Sequence, residues 1–126
     1  MTTNQRRAPR TATKTETVTE RVLREVLNER GNQDKKWGEQ NHPLIGGAFL
    51  TATRRQYEME ALNWKGINDH RVRTNSMGWD SIVAEELFEA LEATSLEGAR
   101  EEYVQLAAVA VAAIESIDRM LAKRAA

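Results

Sequence analysis

The chain has 126 residues, of which 40% are hydrophobic and 29% charged, and this length and composition fit a single soluble domain. Its net charge of −1 argues against bulk binding of nucleic acid. The lack of cysteine excludes disulfides and thiolate chemistry, and two histidines are too few for a histidine-rich zinc site. No apolar run is long enough to span a membrane and the first residues lack the apolar core of a secretory signal, so we expect a cytoplasmic protein without a membrane partner.

The N-terminal residues 1–16 combine basic side chains with threonines and contain almost nothing apolar. Such a composition cannot bury enough surface to offset the entropy of ordering, so it predicts a flexible basic arm ahead of one helical domain over residues 17–126. Thr17 and Glu20 have the spacing of a capping box, which predicts the start of a helix. Gly31 suits a C-terminal cap and predicts the end of that helix.

A polar segment with a tryptophan follows, between residues 33 and 43. Its glycine and proline predict a loop or a short helical turn, and loops rich in hydrogen-bonding groups are frequent binding sites. Two interpretations of Trp37 remain open, namely a contact with a ligand and a plug at the edge of the core. His42 is read either as a ligand contact or as an exposed or capping residue before Pro43. The segment is expected to end at Gly46-Gly47.

Three further helices are predicted from the apolar periodicity: one over about 51–69, one from Trp79 or Asp80, and the longest over about 96–123, with Ser95 as its N-cap. Residues 70–78 are predicted to form a basic connector. The longest helix carries an apolar seam at alternating steps of four and three, the spacing of close bundle packing. We therefore expect an all-α four-helix bundle with this helix at its centre, or with its seam shared across an oligomer interface. The seam consists of Tyr103, Ala107, Ala110, Ile114, Ile117 and Leu121.

The most unusual stretch is acidic, with eight carboxylates and a single base between Asp80 and Glu102. Within it, Glu86 and Glu89 are three residues apart. Glu102, its last carboxylate, is likewise three residues from Gln105, which follows the stretch. Residues at this spacing share a helix face, as ligand pairs do in the metal sites of helical bundles. Carboxylate oxygens are the ligands that Mg²⁺ prefers, so two such pairs on adjacent helices predict a magnesium site. The alternative is a solvated acidic face that binds nothing.

Two motifs carry a resemblance to a known family. The pattern Trp79-x-x-Ile-x-x-Glu-Glu-x-x-Glu89, followed by Arg100-Glu-Glu-x-Val-Gln-x-Ala-Ala-Val-Ala-Val111, resembles the all-α NTP pyrophosphatase superfamily, which includes MazG-like proteins and dimeric dUTPases. The segment Asp34-Lys-Lys-Trp-Gly-Glu-Gln-Asn-His-Pro43 resembles small phage and actinobacterial MazG-like proteins. The likeness covers about residues 19–124. It implies a homodimer or homotetramer of helical bundles that uses Mg²⁺, with Mn²⁺ as a substitute, to hydrolyse nucleoside triphosphates to the monophosphate and pyrophosphate.

The resemblance also implies roles for individual residues. By position, the metal ligands fall on Glu86, Glu89, Glu102 and Gln105, although the family pattern has Asp where Gln105 stands. Glu86 and Glu85 are the expected catalytic carboxylates, with Glu85 orienting the attacking water. An uncharged Gln105 weakens the attraction for a cation, so a catalytically weakened nucleotide-binding or regulatory bundle is the alternative function. The expected substrate contacts are Trp37, Asn41 and His42 for the base, and Lys35, Lys36, Arg71 and Arg73 for the phosphates; for each arginine, pairing with the acidic segment is the competing interpretation.

Overall fold

The structure is a computed structural model that describes residues 14–45 and 50–126. Its helices are α1 (Val18–Trp37), α2 (Leu50–Thr74), α3 (Trp79–Glu92) and α4 (Leu96–Ala125), and these residues contain no strand. The predicted all-α class is therefore confirmed. Most of the predicted flexible arm lies in residues 1–13, and the predicted end of the polar segment at Gly46-Gly47 lies in residues 46–49. Both ranges are outside the described residues.

Helix α1 begins where its capping box predicts. The backbone N–H of Glu20 donates to Thr17 Oγ1 at 3.1 Å, and the N–H of Thr17 donates to Glu20 Oε2 at 2.8 Å. The predicted end at Gly31 is wrong, because the helix continues to Trp37. Gly38 ends it instead: its φ of 66° lies in the left-handed region that favours glycine, and its N–H donates to Asp34 O at 2.7 Å.

Helix α2 is longer than predicted and absorbs most of the expected connector. It ends at Thr74, and Asn75 follows with a φ of 51°, a left-handed conformation that asparagine tolerates. The N–H of Ser76 then donates to Arg71 O at 2.9 Å, which is the Schellman pattern of a helix end. The connector is thus residues 75–78, and α3 begins at Trp79 as predicted.

The helices pack in the spatial order α2, α3, α4, α1. Tyr57 on α2 lies 6.2 Å from Phe88 between ring centroids, while Arg71 pairs with Asp80 near the other end, so α2 and α3 run antiparallel. A turn at residues 93–95 reverses the chain into α4, with Ser95 Oγ accepting from the N–H of Gly98 at 3.0 Å, as predicted for the cap. At 1.5 Å per residue, α3 is about 21 Å long and α4 about 45 Å. The shorter helix therefore covers only part of α4, and α1 packs against the later part, near Ile114 and Glu115.

The packing is bundle-like, but a single chain does not close into a four-helix bundle. Within the described residues, α1 contacts neither α2 nor α3, and α2 does not pack against α4. The expected burial of α4 is wrong for a single chain, because Tyr103, Ile117 and Leu121 of its seam are 41–47% exposed. None of the helices in the described part of the chain has the length and apolar character needed to cross a membrane. The buried apolar residues are Val22, Ala61, Ala90, Ala99 and Val111.

Candidate metal centre

Three glutamates from two helices converge on the α3–α4 hairpin. One carboxylate oxygen from each of Glu86, Glu89 and Glu102 lies within 4.8 Å of the other two. Glu86 and Glu89 share a face of α3, and Glu102 meets them from α4 because the short turn makes the two helices antiparallel. We call these three residues the glutamate cluster. It brings together three of the four predicted metal ligands.

The surroundings of the glutamate cluster are unfavourable for bare negative charge. Glu86 Oε2 and Glu102 Oε2 are buried and have no hydrogen-bond partner among the described residues. Desolvation, reinforced by the charges of Glu86 and Glu85, raises the pKa of Glu89 to about 7. Desolvation and the charge of Glu102 also raise the pKa of Glu86.

A hard divalent cation matches this donor set. Mg²⁺ and Mn²⁺ bind carboxylate oxygens, and the positive charge stabilises the ionised form of each carboxyl group. Buried polar atoms without partners are rare in folded proteins, and an ion that takes them as ligands is one of the ordinary explanations. The residues present therefore fit a cation held by two helices.

Glu85 stands beside the cluster and is held by a residue of α2. The side-chain amide of Asn68 donates to Glu85 Oε2 at 2.6 Å and to the backbone oxygen of Ser81 at 2.9 Å. The negative charge of Glu85 contributes to the raised pKa values of Glu86 and Glu89, so it lies within electrostatic reach of both. Its expected role as a catalytic carboxylate stays a prediction that this position suits.

Gln105, the fourth expected ligand, lies one helical turn after Glu102 on α4 and is exposed. Its role as a ligand stays a prediction, and the glutamate cluster forms without it.

A groove of about 660 Å³ opens on the cluster and is lined by Glu89 and Glu102. Among the described residues, Arg54 of α2 is the only base that lines it, whereas Glu58, Glu92 and Glu101 add further negative charge. Desolvation, followed by the charge of Glu58, raises the pKa of Glu92, and Arg54 opposes that rise. The sequence gives little sign of Arg54, because a basic residue near the start of a helix is commonplace and only the packing of α2 on α3 brings it here.

The predicted substrate contacts lie elsewhere. All seven belong to the described part of the chain, and none of them lines this groove. Trp37 is 54% exposed with Lys36 Nζ lying 4.9 Å from its ring centroid, so it does not plug the core of a single chain. Asn41 donates to Glu39 at 3.1 Å, and Arg71 pairs at 2.8 Å with Asp80, an aspartate of the acidic segment. The remaining residues, all with exposed side chains, are Lys35, His42 and Arg73.

Asn68 is the residue near the site that the sequence reasoning missed. A signal for it exists, since Tyr57, Ala61, Trp64 and Asn68 follow one another at steps of four, three and four along one stripe of α2. The neighbours on this stripe are half-buried or buried, so a polar residue there is one that the fold encloses.

Comparisons of the chain with protein-family models, with curated proteins and with solved structures found no match. The resemblance to the all-α NTP pyrophosphatases therefore stays an expectation drawn from the motifs themselves.

Proposed function

We propose that this chain is a metal-dependent nucleoside triphosphate pyrophosphohydrolase of the MazG-like type, which converts an NTP or dNTP and water to the monophosphate and pyrophosphate. The observation that carries the proposal is the glutamate cluster, in which three carboxylates predicted as ligands meet within 4.8 Å. A merely solvated acidic face has no reason to bury two carboxylate oxygens without donors. The groove beside the cluster supplies room for a ligand of nucleotide size.

Each residue at the site has its own role in the proposed reaction. Glu86, Glu89 and Glu102 hold the cation, and Gln105 offers a carbonyl oxygen one turn further along α4. A bound Mg²⁺ or Mn²⁺ supplies positive charge to phosphate oxygens and to the charge that develops on them. Glu85, held by Asn68, accepts a hydrogen bond from the water that attacks the α-phosphorus.

The same groove favours a ligand that arrives with its own cation. The described part of its lining carries five glutamates and a single base, Arg54, so a free anion is repelled. A nucleoside triphosphate complexed with Mg²⁺ carries less negative charge and presents phosphate oxygens to the glutamate-bound ion and to Arg54 together. We therefore assign Arg54 as a phosphate contact, ahead of the lysines near Trp37.

Product analysis tests the reaction. We expect the full chain with Mg²⁺ and a panel of NTPs and dNTPs to release pyrophosphate and the monophosphate, and we expect Glu86→Gln to abolish this release. Glu97→Gln is the matched control, because Glu97 is an exposed glutamate of α4 that belongs neither to the cluster nor to the lining of the groove. If no substrate in the panel yields pyrophosphate, or Glu86→Gln retains the activity of the unmodified chain, the proposal fails.

A second function is favoured by Gln105, which lacks the charge that the family pattern has at this position. A catalytically weakened bundle would bind a nucleotide and its cation without turning it over. Calorimetry at equilibrium separates the two: saturable nucleotide binding with no pyrophosphate after prolonged incubation supports the regulatory function. Gln105→Asp then restores turnover if the missing charge is the cause.

We also propose that a second copy of the chain covers the apolar seam of α4, giving a homodimer or homotetramer. Among the described residues only five apolar side chains are buried, which is a small core for a chain of this length. A further groove of about 390 Å³ between α1 and α4 is lined by Val22, Val26 and Ile114. Exposed apolar surface of this kind normally marks an interface. A mass equal to that of one chain, measured by sedimentation equilibrium, would contradict this assembly.

A further inference from the structure

Asn68 is a buried polar residue that the proposed chemistry does not require as a ligand. It is 7% exposed and lies between α2 and α3. One of its amide hydrogens is directed to Ser81 O and the other to Glu85 Oε2, at 2.9 Å and 2.6 Å. Ser81 and Glu85 are four residues apart on α3, so a single side chain spans one turn of the neighbouring helix.

The orientation of this amide follows from its partners. Both atoms that it meets are acceptors, a backbone carbonyl and a carboxylate, so only the –NH₂ group can face them. The opposite orientation would place Asn68 Oδ1 against the Glu85 carboxylate, which is repulsive. Oδ1 consequently points away, and it is buried without a hydrogen-bond partner among the described residues.

This arrangement is a poor choice for stability alone. A buried acceptor without a donor is destabilising, and leucine has nearly the shape of asparagine without the polar atoms. Ser81 O lies inside α3, where the helix supplies its own donor. What leucine cannot supply is the hydrogen bond to Glu85. The contact that justifies asparagine here is therefore the one with the carboxylate.

Glu85 is the residue through which Asn68 reaches the glutamate cluster. It precedes Glu86 in the chain, and its charge acts on both Glu86 and Glu89. We propose that Asn68 is a positioning residue that fixes the Glu85 carboxylate beside the glutamate cluster, with one oxygen occupied by the amide and the other left to serve the cation site. This inference rests on the cation site of the proposed function. Partners that orient the groups around a metal change its affinity by about 10–100-fold.

Titration of the full chain with Mn²⁺, followed by the electron paramagnetic resonance signal of the free ion, tests the inference. Four proteins form a double-mutant cycle: the unmodified chain, Asn68→Leu, Glu85→Gln and the double variant. Glu86→Gln reports on the cation site itself. Thermal unfolding without Mn²⁺ is recorded for each, because a purely structural Asn68 would act on stability instead of on affinity.

We expect Asn68→Leu to weaken Mn²⁺ binding by about tenfold or more, to keep the unfolding temperature of the unmodified chain or raise it, and to have no further effect when Glu85 is already Gln. The role of Asn68 is overturned if Asn68→Leu binds Mn²⁺ with unchanged affinity, or if it lowers the affinity equally in the unmodified chain and in Glu85→Gln. Neither result would contradict the cation site. If the unmodified chain binds no Mn²⁺, or Glu86→Gln binds it equally well, the cation site has failed and the role of Asn68 fails with it.

If Asn68→Leu does not fold, Asn68→Ala takes its place in the cycle, because alanine removes the same amide and is the strongest helix former. Its Mn²⁺ affinity must then fall by about the same factor. An affinity equal to that of the unmodified chain overturns the inference.

Discussion

Replacing Glu89 by glutamine should stabilise the protein without metal and remove its response to metal. Burial and the neighbouring carboxylates raise the pKa of Glu89 from 4.5 to about 7. The folded chain therefore keeps this proton to a higher pH than the unfolded chain does. The penalty on folding is absent below pH 4.5, grows as the pH rises towards 7 and is complete above it.

The size of the effect follows from the same shift. At about 1.4 kcal/mol per pH unit, a rise from 4.5 to about 7 sets a ceiling of about 3.5 kcal/mol. The carboxyl group is only partly buried, so solvent screening reduces the expected penalty to roughly 1–2 kcal/mol. In a chain of this length that amounts to roughly 3–10 °C in the unfolding temperature.

Thermal unfolding followed by circular dichroism measures this change in unfolding temperature. The melts are recorded at pH 8 and at pH 4.5, each with a chelator and with excess Mg²⁺. We expect Glu89→Gln to melt higher than the unmodified chain at pH 8 with chelator, and to match it at pH 4.5. Excess Mg²⁺ at about one hundred times its dissociation constant should stabilise only the unmodified chain, by about 2.7 kcal/mol. The exposed Glu97→Gln, outside the cluster and the groove, serves as the control and should respond to pH and to Mg²⁺ as the unmodified chain does. A Glu89→Gln variant that is less stable at pH 8, or that responds to Mg²⁺ as before, would refute this reasoning.

Three further predictions concern single contacts. Thr17→Ala removes the acceptor of the capping box and should cost about 1 kcal/mol by urea unfolding, with Thr17→Ser as a control that stays near the original value. Val22→Ala opens a cavity at a fully buried position between α1 and α4 and should cost about 1–3 kcal/mol, whereas an equally large loss in the exposed Leu27→Ala would contradict the described core. Arg54→Gln should raise the KM for the nucleotide about tenfold or more and leave Mn²⁺ affinity unchanged, since Arg54 is proposed to contact phosphate and not the ion. A lower affinity for Mn²⁺ would contradict that assignment.

The local features of the fold could be predicted because their signals lie within four residues. Thr17 with Glu20, and Ser95 with Gly98, are such pairs, and both caps form. The end of α1 could not be placed in this way. Gly31 lowers helix propensity by only about 1 kcal/mol, which the surrounding turns overcome, and the positive φ falls on Gly38 instead.

The site shows the same distinction between features set by nearby residues and features set by tertiary packing. The Glu86–Glu89 pair could be read from the sequence, because residues three apart on a helix share a face whatever the tertiary structure is. The places of Asn68 and Arg54 in the site could not be predicted. The stripe on α2 indicates only that Asn68 is enclosed, and both residues reach the site through the antiparallel packing of α2 on α3. The seam of α4 shows the converse: periodicity identifies an apolar face but not the molecule that covers it.

The central claim is that the glutamate cluster holds a divalent cation next to the phosphates of a nucleotide. Crystals grown with Mn²⁺ and a non-hydrolysable nucleoside triphosphate analogue test it directly through the anomalous scattering of manganese. We predict an anomalous peak about 2.0–2.3 Å from oxygens of Glu86, Glu89 and Glu102, with a phosphate oxygen completing its coordination. Bound analogue with no anomalous peak at the cluster, or a peak held by other residues, would contradict the claim.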